Sequence, residues 1–204
     1  MRANFYSALR GVFAMGVVLL ASSCVSPDTR HHVVISVPEQ RLALLDEGKL
    51  MATFPVSTSK FALSDFPGSR GTPLGEMEIA DKIGGSAPLG AVFKSRRRTG
   101  EILAPDAPGR DPIVTRILWL RGREAQNRNA YGRLIYIHGT AEERNVGRPA
   151  SYGCIRMRSR DVVQLYDVVG PGARVSILNA PLAAMVPALA PSAEVAVAGP
   201  AEQR

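Results

Sequence analysis

Short apolar and β-branched runs, separated by glycine and proline, recur between Val33 and Leu178, and they limit the fold more than any other feature of the chain. Runs of about four to eight such residues, bounded by turn-forming residues, are typical of β-strands. The predicted strands cover residues 33–37, 41–46, 50–57, 75–82, 113–120, 133–137 and 173–178. The sequence therefore predicts a mainly β domain over residues 33–179.

One segment has a convincing helical period. Ser159 has the side chain of an N-cap, and the glycines and proline of residues 170–172 end the segment. The apolar residues between them fall on one helical face: Val162, Leu165, Tyr166 and Val169. Residues 61–71 and 84–111 lack a regular pattern. We interpret the second stretch as a wall or lid over a site, since long loops in compact domains are often functional.

Cys154 follows His138 by sixteen positions. This spacing places a candidate base, His138, and a candidate nucleophile, Cys154, on either side of one short loop. A thiol attacks as its thiolate, and a neighbouring imidazole can take the proton. Gly139 and Gly153 stand beside them, where a bare backbone can turn sharply and present amides to an oxyanion. A buried core cysteine and a histidine at a strand end is the alternative. The four residues together favour a catalytic site.

At these residues the sequence resembles the YkuD-type L,D-transpeptidases, which cross-link or otherwise remodel peptidoglycan. The matching elements are His-Gly at residues 138–139 and Ser-x-Gly-Cys-hydrophobic-Arg at residues 151–156, within a resemblance that spans about residues 33–178. It implies a YkuD-like β-sandwich or mixed sheet, with one substantial helix after the cysteine motif. Many relatives have histidine where this chain has Tyr152, a departure expected to alter substrate preference rather than the core chemistry.

The resemblance also implies a reaction. Cys154 would form a thioester with a peptidoglycan stem tetrapeptide, cut between its L-centred third residue and the terminal D-alanine, and an amine acceptor would then take the acyl group. His138 would act first as base and then as acid. The other partners implied are the acceptors, which include another stem peptide, a free D-amino acid, an envelope lipoprotein or water. No cofactor is expected.

The residues around the motif suggest further roles. The amides of Gly153 and Cys154 are natural oxyanion donors, and Ser151 could hold the loop by hydrogen bonds. Arg156 could bind a substrate carboxylate or form a structural salt bridge. Tyr152 and Tyr136 could line the groove, although strand alternation also places Tyr136 in the core. No acid is evident as a partner of His138, which leaves a backbone carbonyl to orient it.

Two other functions remain open from the sequence. One is an L,D-carboxypeptidase or amide hydrolase of the cell wall, which would share the same acyl-enzyme. The other is a noncatalytic wall-binding lipoprotein on the same scaffold, which an intact His138 and Cys154 argue against.

The N-terminal residues resemble an export signal. Two arginines precede an apolar run at residues 11–20, and small residues at 21–23 precede Cys24, as in a lipobox. We predict a signal peptide over residues 1–23 and a lipidated tether over 24–32, which places the protein in the periplasm on a membrane anchor. Val25 after the cysteine favours the outer membrane. Residues 180–204, rich in alanine and proline, are predicted to be a flexible tail.

The formal net charge of +7 suits an anionic envelope. Three consecutive arginines at residues 96–98 have no interleaved aromatic residues, so we interpret them as a solvated loop rather than a nucleic-acid site. The chain contains no phosphate-binding glycine loop and no His/Cys cluster with zinc spacing. We therefore predict neither a nucleotide, a metal nor a nucleic-acid partner.

Overall fold

A computed structural model describes residues 26–190, and this part of the chain forms one β-sheet with a single α-helix. The helix, α1, spans Ser159–Val168 and follows the cysteine motif, as predicted. The strands are β1 His31–Ser36, β2 Arg41–Asp46, β3 Lys49–Pro55, β4 Gly75–Ile83, β5 Ala91–Lys94, β6 Arg97–Ile102, β7 Ile113–Gly122, β8 Tyr136–Thr140, β9 Ile155–Met157 and β10 Arg174–Leu178. The predicted mainly β fold is confirmed. The predicted signal peptide and Cys24 lie outside the described residues.

The sheet branches at β7. Its main path runs β3-β2-β1-β10-β4-β7-β5-β6, and β8 pairs with the other edge of β7 and carries β9. The pairs β1–β10 and β8–β9 are parallel, whereas the other pairs are antiparallel. Along one edge of β7, residues 113–114 pair with β5 and residues 117–122 pair with β4. The strand that supports β8 therefore also supports the β5–β6 hairpin.

The main core lies between the sheet and α1. Val162 and Leu165 of the helix are fully buried against strand residues such as Ile137, Ile155 and Ile177. The other face of β1 and β2 is also buried, in a second cluster. Burial on both faces explains why these strands have continuous apolar runs instead of an alternating pattern.

The prediction of a flexible tail from residue 180 is wrong for its first part. Two short 3₁₀ turns, Leu182–Ala184 and Pro187–Leu189, place Leu182 and Val186 on the second cluster, where both are at most 2% exposed. Their apolar side chains cover the outer face of β1 and β2. The ordered domain therefore extends at least to residue 189, and residues 191–204 are outside the described part.

The predicted tether is likewise part of the fold from Asp28 onward. The Asp28 amide donates to the Pro171 carbonyl at 2.7 Å, and its carboxylate accepts from the Gly170 amide at 2.7 Å. The same carboxylate contacts Nδ1 of His31 at 2.8 Å, at the start of β1. These bonds tie the beginning of the described chain to the turn after α1.

Residues 84–111 contain a β-hairpin, which the sequence analysis missed. Strands β5 and β6 are joined by Ser95 and Arg96, both with positive φ (48° and 64°), as in a type I′ turn. Such turns usually contain Asn-Gly, so Ser-Arg gave no signal. The Arg96 guanidinium lies 4.8 Å from the Trp119 ring and donates to the Tyr136 hydroxyl at 3.4 Å. Arg96 is therefore anchored, unlike the solvated loop that we predicted.

Three features of the secondary structure near the site differ from the prediction. Strand β8 begins at Tyr136, so His138 lies in its middle and not at its end. The short strand β9 was not predicted. Arg158 occupies the N-cap position of α1, and Ser159 is the first helical residue, whose amide donates to Glu143 at 2.7 Å.

No helix within residues 26–190 is long and apolar enough to cross a membrane.

Candidate active site

Parallel pairing of β8 and β9 brings His138 and Cys154 to the same face of the sheet. His138 is registered opposite Arg156, and Ile137 is opposite Ile155. Side chains alternate along a strand, so Cys154 projects to the same side as Arg156 and His138. Ile137 and Ile155 point the other way, into the main core. The histidine and the cysteine are therefore diagonal neighbours on the face opposite the main core.

A backbone carbonyl orients the imidazole. Nδ1 of His138 lies 2.8 Å from the Gly139 carbonyl, and the side chain is 5% exposed. A carbonyl oxygen can only accept, so Nδ1 carries the proton and the lone pair of the neutral ring resides on Nε2. Burial, the dominant cause, lowers the pKa of His138 to about 4. The imidazole is thus neutral at pH 7, with Nε2 available as a base.

The thiol of Cys154 is half-buried and rests on backbone groups of the segment that enters β8. Sγ donates to the Leu134 carbonyl at 3.4 Å, and the Tyr136 amide is directed at the sulfur. Burial raises the pKa of Cys154, against smaller lowering effects of the Tyr136 amide, Arg156 and Arg133. The hydrogen bond of the resting thiol therefore goes to Leu134 and not to His138.

Ser151 organises the loop before Cys154. It is fully buried, its Oγ donates to the Cys154 carbonyl at 2.5 Å, and it accepts from the Gly153 amide at 3.1 Å. Gly153 has a φ of 124°, and a Cβ there would lie 3.0 Å from the Gly71 carbonyl oxygen. The Gly153 amide, which we predicted as an oxyanion donor, is already engaged by Ser151.

Arg156 is neutralised by acids of two other segments. Its guanidinium lies 2.8 Å from Asp111 and 3.8 Å from Glu142, and the Arg156 and Asp111 side chains are only 11% and 10% exposed. Of the two roles predicted for Arg156, this arrangement matches the structural salt bridge. Asp111 also accepts from the Thr140 hydroxyl at 2.6 Å, which ties the ion pair to the end of β8. Sequence analysis missed Asp111, because its partner lies far along the chain.

A bulge in β7 fits against the glycine beside the histidine. Thr115, at this irregularity, has a φ of 70°, and its hydroxyl donates to Ser159 at 2.9 Å. A Cβ on Gly139 would lie 2.6 Å from the Val114 carbonyl oxygen and 3.1 Å from the Thr115 Cβ. Bulges are frequent beside active sites because they re-aim the strand locally. Here the bulge leaves no room for a side chain at residue 139.

The thiol opens into a cavity of about 250 Å³, which is lined by Arg70, Arg133, Ile135, Tyr152 and Cys154 among others. Tyr152 is 53% exposed and lies on the rim, where it also borders a second, polar cavity that Arg156 lines. Tyr136 is only 4% exposed and packs edge-on against Trp119. Of the two predicted groove residues, the structure therefore places Tyr152 in the groove and Tyr136 in the packing beneath it.

Arg133 joins the wall of this cavity to the loop between β3 and β4. Its guanidinium pairs with the buried Asp65 at 3.1 Å and donates to the carbonyls of Ser64 and Gly71 at 2.8 Å each. The charge and hydrogen-bonding capacity of Arg133 are thus used within the protein. Its sequence position, before β8, gave no signal for this role.

The shifted pKa of His138 makes a prediction for stability. The unfolded chain binds a proton on this imidazole below about pH 6.5, whereas the folded chain does so only near pH 4. Acidification through that window should therefore remove about 3 kcal/mol of folding free energy through this group. We expect the free energy of unfolding, measured with urea, to fall by about 3 kcal/mol more between pH 7 and pH 4 in the wild type than in His138→Gln. Parallel pH curves for the two proteins would contradict the assignment.

Within residues 26–190, no group of three or more His, Cys, Asp and Glu side chains is arranged to hold a metal ion.

Comparison with known proteins places this geometry in context. The model of the YkuD family, the L,D-transpeptidase catalytic domain, matches residues 30–177. The chain is 28% identical to YcfS of Escherichia coli K12, named a probable L,D-transpeptidase, over 83% of this chain and 51% of the relative. It is 27% identical to YkuD of Bacillus licheniformis, over 82% of this chain and 78% of the relative. The chain thus spans about half the length of the E. coli relative.

Among solved structures, an L,D-transpeptidase from Xylanimonas cellulosilytica aligns with a TM-score of 0.48 and 18% identity. The alignment covers 75% of this chain and 62% of that structure.

Proposed function

Because this chain belongs to the YkuD family of L,D-transpeptidase catalytic domains, we propose that it is a cysteine-dependent acyltransferase acting on peptidoglycan. The observation that carries the proposal is the placement of Cys154 and His138 on one sheet face, with the thiol open to a cavity and Nε2 free to act as a base. The donor is a stem tetrapeptide, and the acceptor is an amine.

The first half-reaction needs one movement of the thiol. Rotation about its Cα–Cβ bond releases Sγ from the Leu134 carbonyl toward His138, which takes the proton on Nε2. The thiolate attacks the donor carbonyl and forms a C–S bond. The C–N bond then breaks, and His138 returns the proton to the leaving amine. The resulting thioester holds the acyl group on Cys154.

In the second half-reaction an acceptor amine attacks the thioester. His138 takes a proton from the amine as a new C–N bond forms. The C–S bond then breaks, and His138 returns that proton to the Cys154 thiolate, which regenerates the thiol. The Tyr136 amide, which faces the sulfur, stabilises the thiolate in both steps. Of the two oxyanion donors that we predicted, the amide of Cys154 is the one we retain, since Ser151 engages that of Gly153.

Arg156 acts from behind the site. Its ion pair with Asp111 fixes the end of β8, and its charge reaches both His138 and Cys154. Strand β5 borders the site on one side, since Phe93 and Ala91 pack in the cluster that includes Cys154 and Tyr136. This packing supports our earlier interpretation of residues 84–111 as a wall over the site.

We further propose that the protein is exported and works in the periplasm. The motif around Cys24 supports a lipid anchor on a membrane, with the outer membrane favoured. An envelope lipoprotein remains a candidate acceptor beside stem peptides.

The test is incubation of the purified full-length protein with a tetrapeptide muropeptide, followed by mass spectrometry of protein and products. We expect an acyl adduct that has lost the terminal D-alanine, together with dimeric muropeptides. Monomeric tripeptide without dimers would replace the transferase with a carboxypeptidase that uses the same acyl-enzyme. The absence of both adduct and product would refute the proposed function.

A further inference from the structure

Two cations line the cavity in front of the thiol, and only one of them is free to bind a ligand. The guanidinium of Arg133 is already paired with Asp65 and hydrogen-bonded to backbone carbonyls. Arg70 is exposed and makes no ion pair with any acid of residues 26–190. Its guanidinium carbon lies 5.7 Å from the centre of the Tyr152 ring and 5.7 Å from that of Phe61. Arg70 therefore presents an unneutralised charge to the cavity that contains Sγ.

The backbone holds Arg70 in an unfavourable conformation. Its φ is 53°, in the left-handed region that glycine or asparagine usually occupies. Its carbonyl accepts from the Ser59 hydroxyl at 2.7 Å, and the next residue, Gly71, is bonded to Arg133. Strained residues locked by their surroundings cluster at binding sites. The backbone of this turn is therefore fixed by its neighbours, which sets the point from which the Arg70 side chain departs.

The aromatic rings restrict where the guanidinium can go. The ring centres of Tyr152 and Phe61 lie 5.2 Å apart, and Arg70 contacts both rings. Nζ of Lys60 lies 4.8 Å from the Tyr152 ring centre, but Lys60 lines the second, polar cavity and not the one that contains Sγ. These cation–π contacts use none of the N–H donors of the guanidinium, so the donors remain available to bind a carboxylate in a bidentate manner. Arg156, for which the sequence left open a carboxylate ligand or a structural salt bridge, is buried and already neutralised by Asp111.

We propose that Arg70 binds the free C-terminal carboxylate of the acyl donor and so selects the last amide bond of a peptide for cleavage. This proposal rests on the proposed function. The terminal carboxylate lies one residue beyond the reacting carbonyl, and successive Cα atoms are about 3.8 Å apart. Arg70 and Sγ line the same cavity, so a donor whose carbonyl meets the thiol brings its terminal carboxylate into the space that Arg70 borders. An internal amide bond has no carboxylate at this position and leaves Arg70 without a partner.

The experiment compares two donors that differ only in their C-terminus. A tetrapeptide with a free terminal carboxylate and the same peptide with a terminal carboxamide are given to the full-length protein. The second-order rate constant of acyl-enzyme formation is measured by intact-protein mass spectrometry. We expect the wild type to prefer the carboxylate at least tenfold. Arg70→Gln should lose at least tenfold on the carboxylate and almost nothing on the carboxamide, whereas Arg70→Lys should retain part of the preference.

Arg160→Gln is the matched control, since Arg160 is an exposed arginine on α1, which packs on the other face of the sheet. It should keep the wild-type preference. An equal loss on both donors in Arg70→Gln, or no loss on either, would overturn the proposal. If the wild type forms no adduct with either donor, the proposed function fails first, and the role of Arg70 fails with it. Adducts of equal rate from both donors in the wild type would overturn only the role of Arg70.

Discussion

Replacing Cys154 with alanine is expected to abolish the acyl adduct and to lower turnover by about 10⁴-fold or more, since nucleophile and base act as a unit and loss of either removes the covalent route. The side chain is small and half-buried, and its described hydrogen bond is the 3.4 Å contact with Leu134. The free energy of unfolding should therefore change by less than about 1 kcal/mol. Intact-protein mass spectrometry and urea unfolding measure the two effects.

The matched control for this variant is Ser151→Ala. Ser151 is fully buried, and both of its hydrogen bonds lie within the loop, so it has no access to the donor carbonyl. Its variant should still form the adduct, although more slowly, because the loop loses its internal support. An adduct that persists in Cys154→Ala would show that another group is the nucleophile.

Replacing Arg156 with methionine is expected to destabilise the fold by about 3–5 kcal/mol, because it leaves the buried Asp111 carboxylate without its cation. The double variant Arg156→Met/Asp111→Asn should recover part of this loss, since an amide can still bond Thr140 but carries no charge. Urea unfolding of the single and double variants forms the thermodynamic cycle. A loss below about 1 kcal/mol for Arg156→Met would mean that the pair behaves like an exposed surface bridge.

Prediction of the fold succeeded where a strand buries an apolar run. Strand β2 coincides with its predicted bounds, and β1, β4, β7 and β10 differ by a few residues. The β5–β6 hairpin was missed, because every residue of β6 is exposed and its turn is Ser-Arg. Such a strand is specified by pairing with its neighbour, and this leaves no hydrophobic period in the sequence. Packing of the segment around Leu182 was missed because it depends on tertiary contacts.

Prediction of the site was limited by sequence distance. His138 and Cys154 could be proposed as a pair from their spacing and the glycines beside them, and a backbone partner for the imidazole could be predicted because no acid was evident. Asp111 and Arg70 could not, since only the folded sheet brings them to the residues they serve. The role of Arg156 illustrates the difference. Its position beside Cys154 allowed either a ligand contact or a structural salt bridge, and only the fold, which supplies a buried acid from another segment, decides between them.

The bulge of β7 limits which substitutions can be accepted beside the histidine during evolution. Residues 114–115 leave no space for a Cβ at residue 139, and Thr115 adopts a left-handed conformation to bring its backbone there. A side chain at 139 can be accepted only together with a straightened β7. Substitutions at residue 139 and at residues 114–115 therefore depend on one another, although the two segments are separated in the sequence. Among relatives, we expect covariation between the position beside the histidine and the two positions of the bulge.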